Sequence, residues 1–291
     1  DYEALKEVKP DIIYLSSSQR GGKGPEWSYA GYAPTFPMLG GLSYLTGHPD
    51  GIPSSMAGRS DLVVGTTSFF TILAALIYHS KTGKGQYIDV SSTEVFSSLI
   101  GDAFMDYAMN KRNQPRQGNR DSIMAPHNCY RCKGDDKWIS IAISTDDEWK
   151  AFCDATGNLD WSKDEKFSDA YLRKANEEEL DRLISQWTIN HTHYEVTELL
   201  QKAGVAAMPS FSQDELYEDP HLKERGFAIQ VDHPVIGKQT MVGPPWRLSA
   251  TPTKVTRYAP LFGEHNNYVF GELLGMSEEK IAELGKEEVI Y

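Results

Sequence analysis

Asp61 is the residue whose place in the chain suggests chemistry. It stands in Gly58-Arg59-Ser60-Asp61-Leu62, at the head of an apolar run that extends to His79 and is closed by Lys81-Thr82-Gly83-Lys84-Gly85-Gln86. Two roles suit a carboxylate there. As part of a helix start, Ser60 or Asp61 accepts backbone N–H groups that have no partner in the first turn. As a nucleophile, a carboxylate beside a helix N-terminus stays ionised, and an apolar surround removes the water that would blunt it. The roles are compatible, but a mutant that loses only a cap keeps its turnover.

Other motifs carry less. Gly21-Gly22-Lys23-Gly24-Pro25 resembles a phosphate loop but lacks the Gly-Lys-Ser/Thr ending, which argues against nucleotide hydrolysis. It is either a plain turn or a place where backbone amides approach an anion. Gln117-Gly118-Asn119-Arg120 is a linker turn or, functionally, a mobile lid from which Arg120 reaches an anion. Cys129 and Cys132 form a lone C-x-x-C without a second ligand pair, and alternation along a strand sets them on opposite faces, so no metal site is expected. His191 and His193 fall at a helix boundary and read as solvated surface. No Gly-x-Ser-x-Gly elbow is present, so a serine hydrolase of that type gains no support.

The elements that must position these residues follow from periodicity. Tyr2 to Val8 reads as a helix, Asp11 to Leu15 as a buried strand, and Asp61 to Ser80 as a helix whose apolar residues nearly encircle it, which predicts burial. Gln86 to Val90 is a strand and Ser92 to Met109 a second helix. Strand and helix alternating in this way predict an α/β layered domain over residues 1–113, incomplete at its N-terminus. Composition then changes. Two strands, Cys129 to Cys132 and Trp138 to Ile143, precede three helices with capping patterns at Thr145/Glu148, Asn176/Glu179 and Thr192/Glu195, which predicts a smaller α+β domain over 114–210. Residues 211–291 return to the large domain, with short strands at Phe227 to Val231 and Gln239 to Val242 and helices over Glu264 to Leu274 and Ser277 to Leu284.

With 291 residues and 40% hydrophobic side chains the chain supports a sizeable core. Its longest apolar stretch near the first long helix, Ile72 to Tyr78, is far shorter than the roughly 20 residues that cross a bilayer. No charged-then-apolar leader opens the sequence, and three cysteines make no disulfide framework, so a cytoplasmic, membrane-free protein is expected. A net charge of -12 disfavours nucleic acid and anionic membranes. An anionic small ligand would need a local basic pocket, for which Arg20, Lys23, Arg59, Arg116 and Arg120 are candidates.

Taken together, these motifs resemble the family III coenzyme A transferases (formyl-CoA, carnitine-CoA and benzylsuccinate-CoA transferase-like). The resemblance rests on Pro10-Asp11-Ile12-Ile13-Tyr14 followed by Gly21 to Pro25, on Gly40-Gly41 and Thr46-Gly47-His48-Pro49, on Asp61 with Ala74-Ala75-Leu76, and on Thr82-Gly83-Lys84-Gly85-Gln86. Ala203-Gly204-Val205, Asp219-Pro220-His221 and His233-Pro234 with Gly237 continue it. It implies part of a Rossmann-like large domain with a smaller α+β domain, an interlocked homodimer, and Asp61 as catalytic nucleophile. It also implies acyl-CoA and carboxylic acid as substrates with no tightly bound cofactor, and makes Arg20, Gly21, Lys23, Gly58, Gly118, Asn119 and Arg120 candidates for binding CoA or substrate. In the family the carboxylate attacks a thioester to give an anhydride, then an enzyme-bound CoA thioester that an acceptor acid discharges. Asp106-Tyr107, Gln117 to Arg120 and Ala125-Pro126-His127 look most like branches that use succinyl-CoA and aryl-substituted succinates.

Two departures stand against the family pattern. Relatives carry a preceding nucleotide-fold segment with much of the CoA pocket, so the sequence is expected to be partial and weakly active alone. Gln19-Arg20 replaces a Gly and an aromatic. A second reading is an α-methylacyl-CoA racemase, but Tyr32 follows Ala30-Gly31 where its catalytic His belongs, and a phenol is a poor base near neutral pH. A third is a non-catalytic subunit or fragment, which the intact Asp61 motif opposes.

Overall fold

The computed structural model describes residues 1–56 and 58–290, which divide into two compact units, Asp1–Pro209 and 210–291. The boundary expected near residue 113 lies inside the first unit.

That unit opens with helix α1 (Tyr2–Val8), capped by the Asp1 side chain accepting from the Ala4 N–H at 3.0 Å. Strand β1 (Ile13–Ser18) follows, two residues later than the sequence pattern places it, because Asp11 sits in a turn where its carboxylate is engaged by side chains. Short helices α2 (Thr35–Leu39) and α3 (Leu42–Leu45) lead to the long helix α4 (Ser60–Thr82). Gly83 ends α4 in the left-handed conformation, its N–H donating to the His79 carbonyl at 2.7 Å. Gly85 then passes so close to β1 that a Cβ would lie 2.1 Å from the Ile12 carbonyl oxygen, so only glycine fits. Strand β2 (Gln86–Ser91) pairs with β1 in parallel, from Ile13↔Gln86 to Ser18↔Ser91. The predicted single helix after β2 is two, α5 (Ser92–Ser98) and α6 (Gly101–Asn110). Its periodicity is interrupted where the Ser97 and Ser98 hydroxyls bond backbone carbonyls ahead of Gly101.

Helix α4 corrects two expectations. It is not buried in this chain: Ser60, Val64, Ser68 and Ala75 are, whereas Phe70 is 70% and Ile77 58% exposed. Apolar residues all round a helix show that several faces seek cover, not that this chain supplies it. Counted whole, α4 is also long and apolar enough to cross a bilayer by length and composition, which the short run Ile72 to Tyr78 concealed. It packs on β1, β2 and α5.

The rest of the first unit holds the larger core. Strands β3 (His127–Arg131) and β4 (Trp138–Ala142) pair antiparallel, and β5 (Ala206–Ser210) completes the sheet in the order β3-β4-β5. Ile139, Ile141, Phe152, Leu180, Ile184 and Leu200 are fully buried between this sheet and helices α7 (Asp146–Ala155), α9 (Glu177–Thr188) and α10 (His193–Lys202), while the short helix α8 (Ala170–Ala175) buries Arg173. Capping boxes form at Thr145/Glu148 and Thr192/Glu195 as predicted. Asn176 makes no cap, because its side chain donates to the Leu172 carbonyl at 2.9 Å and closes α8 instead. His193 is buried, 3% exposed, rather than solvated. Arg173 is fully buried, donating to the carbonyls of Ala125 and Phe167 and to Asp146 at 2.8 Å.

The second unit contains α11 (Gln213–Glu218), with a capping box at Ser212/Glu215 that periodicity did not reveal, and α12 (Pro220–Glu224). A hairpin of β6 (Ala228–His233) and β7 (Gly237–Val242) follows, then a π-helical segment, Asn267–Leu273, and α13 (Glu278–Lys286).

Asp11 ties the two ends of the crossover together. Its carboxylate accepts from Lys9 Nζ at 2.8 Å and lies 2.9 Å from His79 Nε2 near the end of α4, contacts that hold its pKa down at about 2. A carboxyl depressed on folding contributes stability above its unfolded pKa, and that stability is lost as pH falls through the folded value. Asp11→Asn should therefore lower the urea midpoint at pH 6, and the difference from wild type should shrink between pH 4 and pH 2. A difference that persists unchanged at pH 2 would refute the assignment.

Candidate active site

Because β1 and β2 run parallel, their carboxyl ends lie side by side, and α4, which returns between them, begins at that same edge. Open α/β sheets bind ligands there. A cavity of about 490 Å³ occupies the edge. Ser17, Ser18 and Gln19 line it from the end of β1, Gly31 and Phe36 from the following segment, and Ser92 from the start of α5. Asp61, Val64, Gly65 and Ser68 complete it, spaced so that one face of α4 looks into the cavity.

The capping role expected of Ser60 or Asp61 is not what the structure shows. Arg59 holds the cap position, and no side chain among the described residues caps α4. Ser60 Oγ is buried and has no hydrogen-bond partner among the described residues. The Asp61 carboxylate is exposed at the cavity, with no side-chain partner among the described residues. Of the two backbone donors near it, the Val63 N–H is taken by the Arg59 carbonyl at 3.2 Å.

The other predicted residues do not converge on this cavity. The Gly22 N–H donates to both oxygens of Asp89 at 2.9 Å, so the anion in the glycine turn is a side chain of β2. Arg20 is paired with Glu26, and Arg20 and Lys23 line a neighbouring cavity of about 380 Å³ with Ser91, Thr93 and Ser97. Gly58 lies just before α4 with a positive φ of 79°. The Gln117 to Arg120 turn is docked rather than free: the Gly118 N–H donates to the Gly47 carbonyl at 2.9 Å, and a Cβ on Gly118 would lie 2.9 Å from His48 Nδ1. Asn119 Nδ2 donates to Asn128 at 3.2 Å, and Arg120 lies 3.4 Å from Glu177 and 3.7 Å from Glu178. Arg116 donates to the carbonyls of Tyr44, His48 and Gly51, fixing the Thr46 to Gly51 loop. Asp106 is buried, and the Arg112 guanidinium beside it holds its carboxyl below the usual range.

Sequence reasoning missed Ser18, Gln19 and Gly31. The signal was the polar run Ser16-Ser17-Ser18-Gln19 leaving a strand. Gly31 leaves room for the Gln19 carboxamide: a Cβ there would lie 1.4 Å from Oε1, the movable end of that side chain. Tyr32, the residue in place of a racemase His, is 83% exposed and is not among the cavity-lining residues.

Residues 1–266 match the sequence profile of CoA-transferase family III. The chain is 30% identical over 290 residues to succinyl-CoA–D-citramalate CoA-transferase of Chloroflexus aurantiacus, covering 99% of this chain and 72% of the relative. It is 28% identical over 306 residues to formyl-CoA:oxalate CoA-transferase of Bradyrhizobium diazoefficiens, covering 98% and 72%. A CAIB/BAIF family protein from Brucella suis, known as a crystal structure, superposes with a TM-score of 0.82 at 30% identity over 94% of this chain and 71% of that one.

The Gly31 contact makes a test of the cavity wall. Gly31→Ala should displace the flexible end of the Gln19 side chain, and with cavity space for it to move into, the denaturant midpoint should change little. A large drop in the midpoint would mean that Gln19 is held firmly against Gly31.

Proposed function

We propose a mechanism from one premise: the chain belongs to CoA-transferase family III. It is thus a CoA-transferase, and coenzyme A thioesters are its substrates. In our reading, Asp61 is the group that carries the transfer. Its carboxylate attacks the thioester carbonyl of the donor, forming an anhydride as the C–S bond breaks and the CoA thiolate leaves. The thiolate attacks the Asp61 carbonyl, releasing the donor's acid and leaving CoA on the enzyme as a thioester. An acceptor carboxylate reverses these two steps with a new acyl group. No proton need be gained or lost overall.

The observation that carries the reading is the Asp61 carboxylate itself: unpaired among the described residues, in the first turn of an uncapped helix, facing a cavity at the carboxyl edge of a parallel strand pair. The unsatisfied amides of such a turn favour a carboxylate and a developing oxyanion. A carboxylate also suits reversible exchange, because an anhydride keeps its acyl group activated while an ester would store it. The racemase reading is less well supported, since no histidine is among the described residues that line the cavity.

For substrates, we propose succinyl-CoA as donor and a dicarboxylic acid as acceptor, an aryl-substituted succinate being the member of that class the sequence favours. The relatives' own names, a succinyl-CoA and D-citramalate enzyme and a formyl-CoA and oxalate enzyme, support an acceptor with two carboxyl groups. We further propose a cytoplasmic homodimer. The uncovered Leu62, Phe69, Phe70 and Ile77 on α4 support a second surface over that helix, and its packing on β1, β2 and α5 supports a role in the layered domain rather than in a bilayer.

Incubation of the intact protein with succinyl-CoA should give an adduct at Asp61, detected by mass spectrometry and cleaved by hydroxylamine. Asp61→Ala and Asp61→Asn should lose about a thousandfold or more of exchange while remaining folded. Full exchange in either variant would exclude Asp61 as nucleophile, and solvent exchange of an α-hydrogen without CoA transfer would favour the racemase.

A further inference from the structure

Three buried polar atoms in and beside the Asp61 cavity have no hydrogen-bond partner among the described residues: Ser18 Oγ, Gln19 Oε1 and Ser60 Oγ. Ser18 and Gln19 line the cavity itself. Burying a hydroxyl or an amide without a partner costs free energy that a well-packed protein avoids, so such groups at a ligand cavity point to a ligand that satisfies them. The arrangement around Gln19 is built rather than loose. Its carbonyl accepts from both the Thr93 N–H at 3.0 Å and Thr93 Oγ1 at 2.9 Å, which pins its backbone to α5. Its carboxamide lies against Gly31, where an added Cβ would meet Oε1 at 1.4 Å and displace it.

We propose that Gln19, assisted by Ser18, recognises the reacting carboxyl group of the acid substrate, an assignment that rests on Asp61 as the acyl-accepting nucleophile. A carboxamide has two N–H donors as well as its acceptor, and exchanging the ends of the planar group presents an N–H at the place Oε1 now occupies. The Ser18 hydroxyl rotates to donate likewise. Together they hold the carboxylate oxygen that does not attack. The other oxygen forms a C–O bond to Cγ of Asp61 while the Cγ–S bond breaks and its electron pair leaves on the CoA thiolate. The thiolate then forms a C–S bond to the acyl carbon as the acyl C–O bond breaks, and its electron pair leaves on the bridging oxygen, regenerating the Asp61 carboxylate. The same pair of donors serves the acid that leaves and the acid that enters, because both occupy one place in alternate half-reactions. Gln19 is thereby a residue that sets recognition of the acid, at a position where the family pattern has glycine.

The test uses the second half-reaction. The intact protein is charged with CoA by succinyl-CoA, freed of excess donor, and mixed with succinate while discharge of the adduct is followed by rapid quench. Gln19→Met and the isosteric Gln19→Glu should still form the adduct, but the second-order rate of discharge should fall about tenfold or more. At pH 7 Gln19→Glu should be the worse, since it sets carboxylate against carboxylate, and its deficit should narrow below pH 5 as the new side chain is protonated. Ser18→Ala should show a smaller loss. A purely structural role would lower the melting temperature and leave the discharge rate of the folded variants unmoved, and that result overturns the proposal. Should Gln19→Met fail to fold, Gln19→Glu and Ser18→Ala decide. Absence of any adduct in the wild-type protein would instead overturn the nucleophile assignment beneath it.

Discussion

The parallel pairing of β1 with β2 is the constraint on which the site depends. Parallel neighbours cannot be joined by a tight turn, so the chain must travel the length of the sheet and return. Helix α4 makes that return, and its first turn is thereby brought to the edge where both strands end. Asp61, Gln19 and Ser92 come from three segments far apart in sequence, yet each stands at an element end fixed by the same crossover. The glycines at 83 and 85 let the crossover close, one by ending the helix in a left-handed turn and the other by leaving no side chain against β1. The Asp89 carboxylate, bound to the Gly22 amide, fastens the segment beyond β1 to β2.

Elements with strong periodicity or local hydrogen bonding were legible in the sequence. The strand over Gln86 to Val90 and the capping boxes at Thr145 and Thr192 depend on residues within a few positions of one another, and these formed as read. The break between α5 and α6 was not legible, because serine hydroxyls compete with the helix only when a nearby carbonyl is available. Burial of α4 was misread for a different reason. Apolar periodicity reports the chemistry of a helix's faces, while its cover is a property of whatever lies against them. At the cavity, the place of Asp61 at the head of α4 was legible from its motif. Gln19 was not, since nothing local distinguishes an amide in a polar run from one held against a glycine twelve residues later.

Charge was the least legible feature. The first 120 residues offer five arginine and lysine candidates for an anion, and the structure commits most of the basic groups near the predicted motifs to internal partners. Arg20 pairs with Glu26, Arg120 lies beside Glu177 and Glu178, and Arg116 is spent on three carbonyls. A chain with twelve more acidic than basic residues has carboxylates enough to satisfy its cations locally. Counting basic residues in a sequence therefore overestimates those available to a substrate.

This partition bears on the chemistry at Asp61. Among the described residues that line its cavity there is no lysine or arginine, and the polar side chains besides Asp61 are serines and a glutamine. In the mechanism proposed for Asp61, a cation there would bind a free carboxylate strongly, but the carboxylate would lose its charge on forming the anhydride, and that ion pair would be lost with it. A neutral donor loses less on the same conversion, because it bonds a carboxylate oxygen and an acyl oxygen with more similar strength. Only interactions that favour the transition state over the bound acid speed the exchange. Neutral donors therefore suit an enzyme that must bind an acid, activate it and release it again from one place.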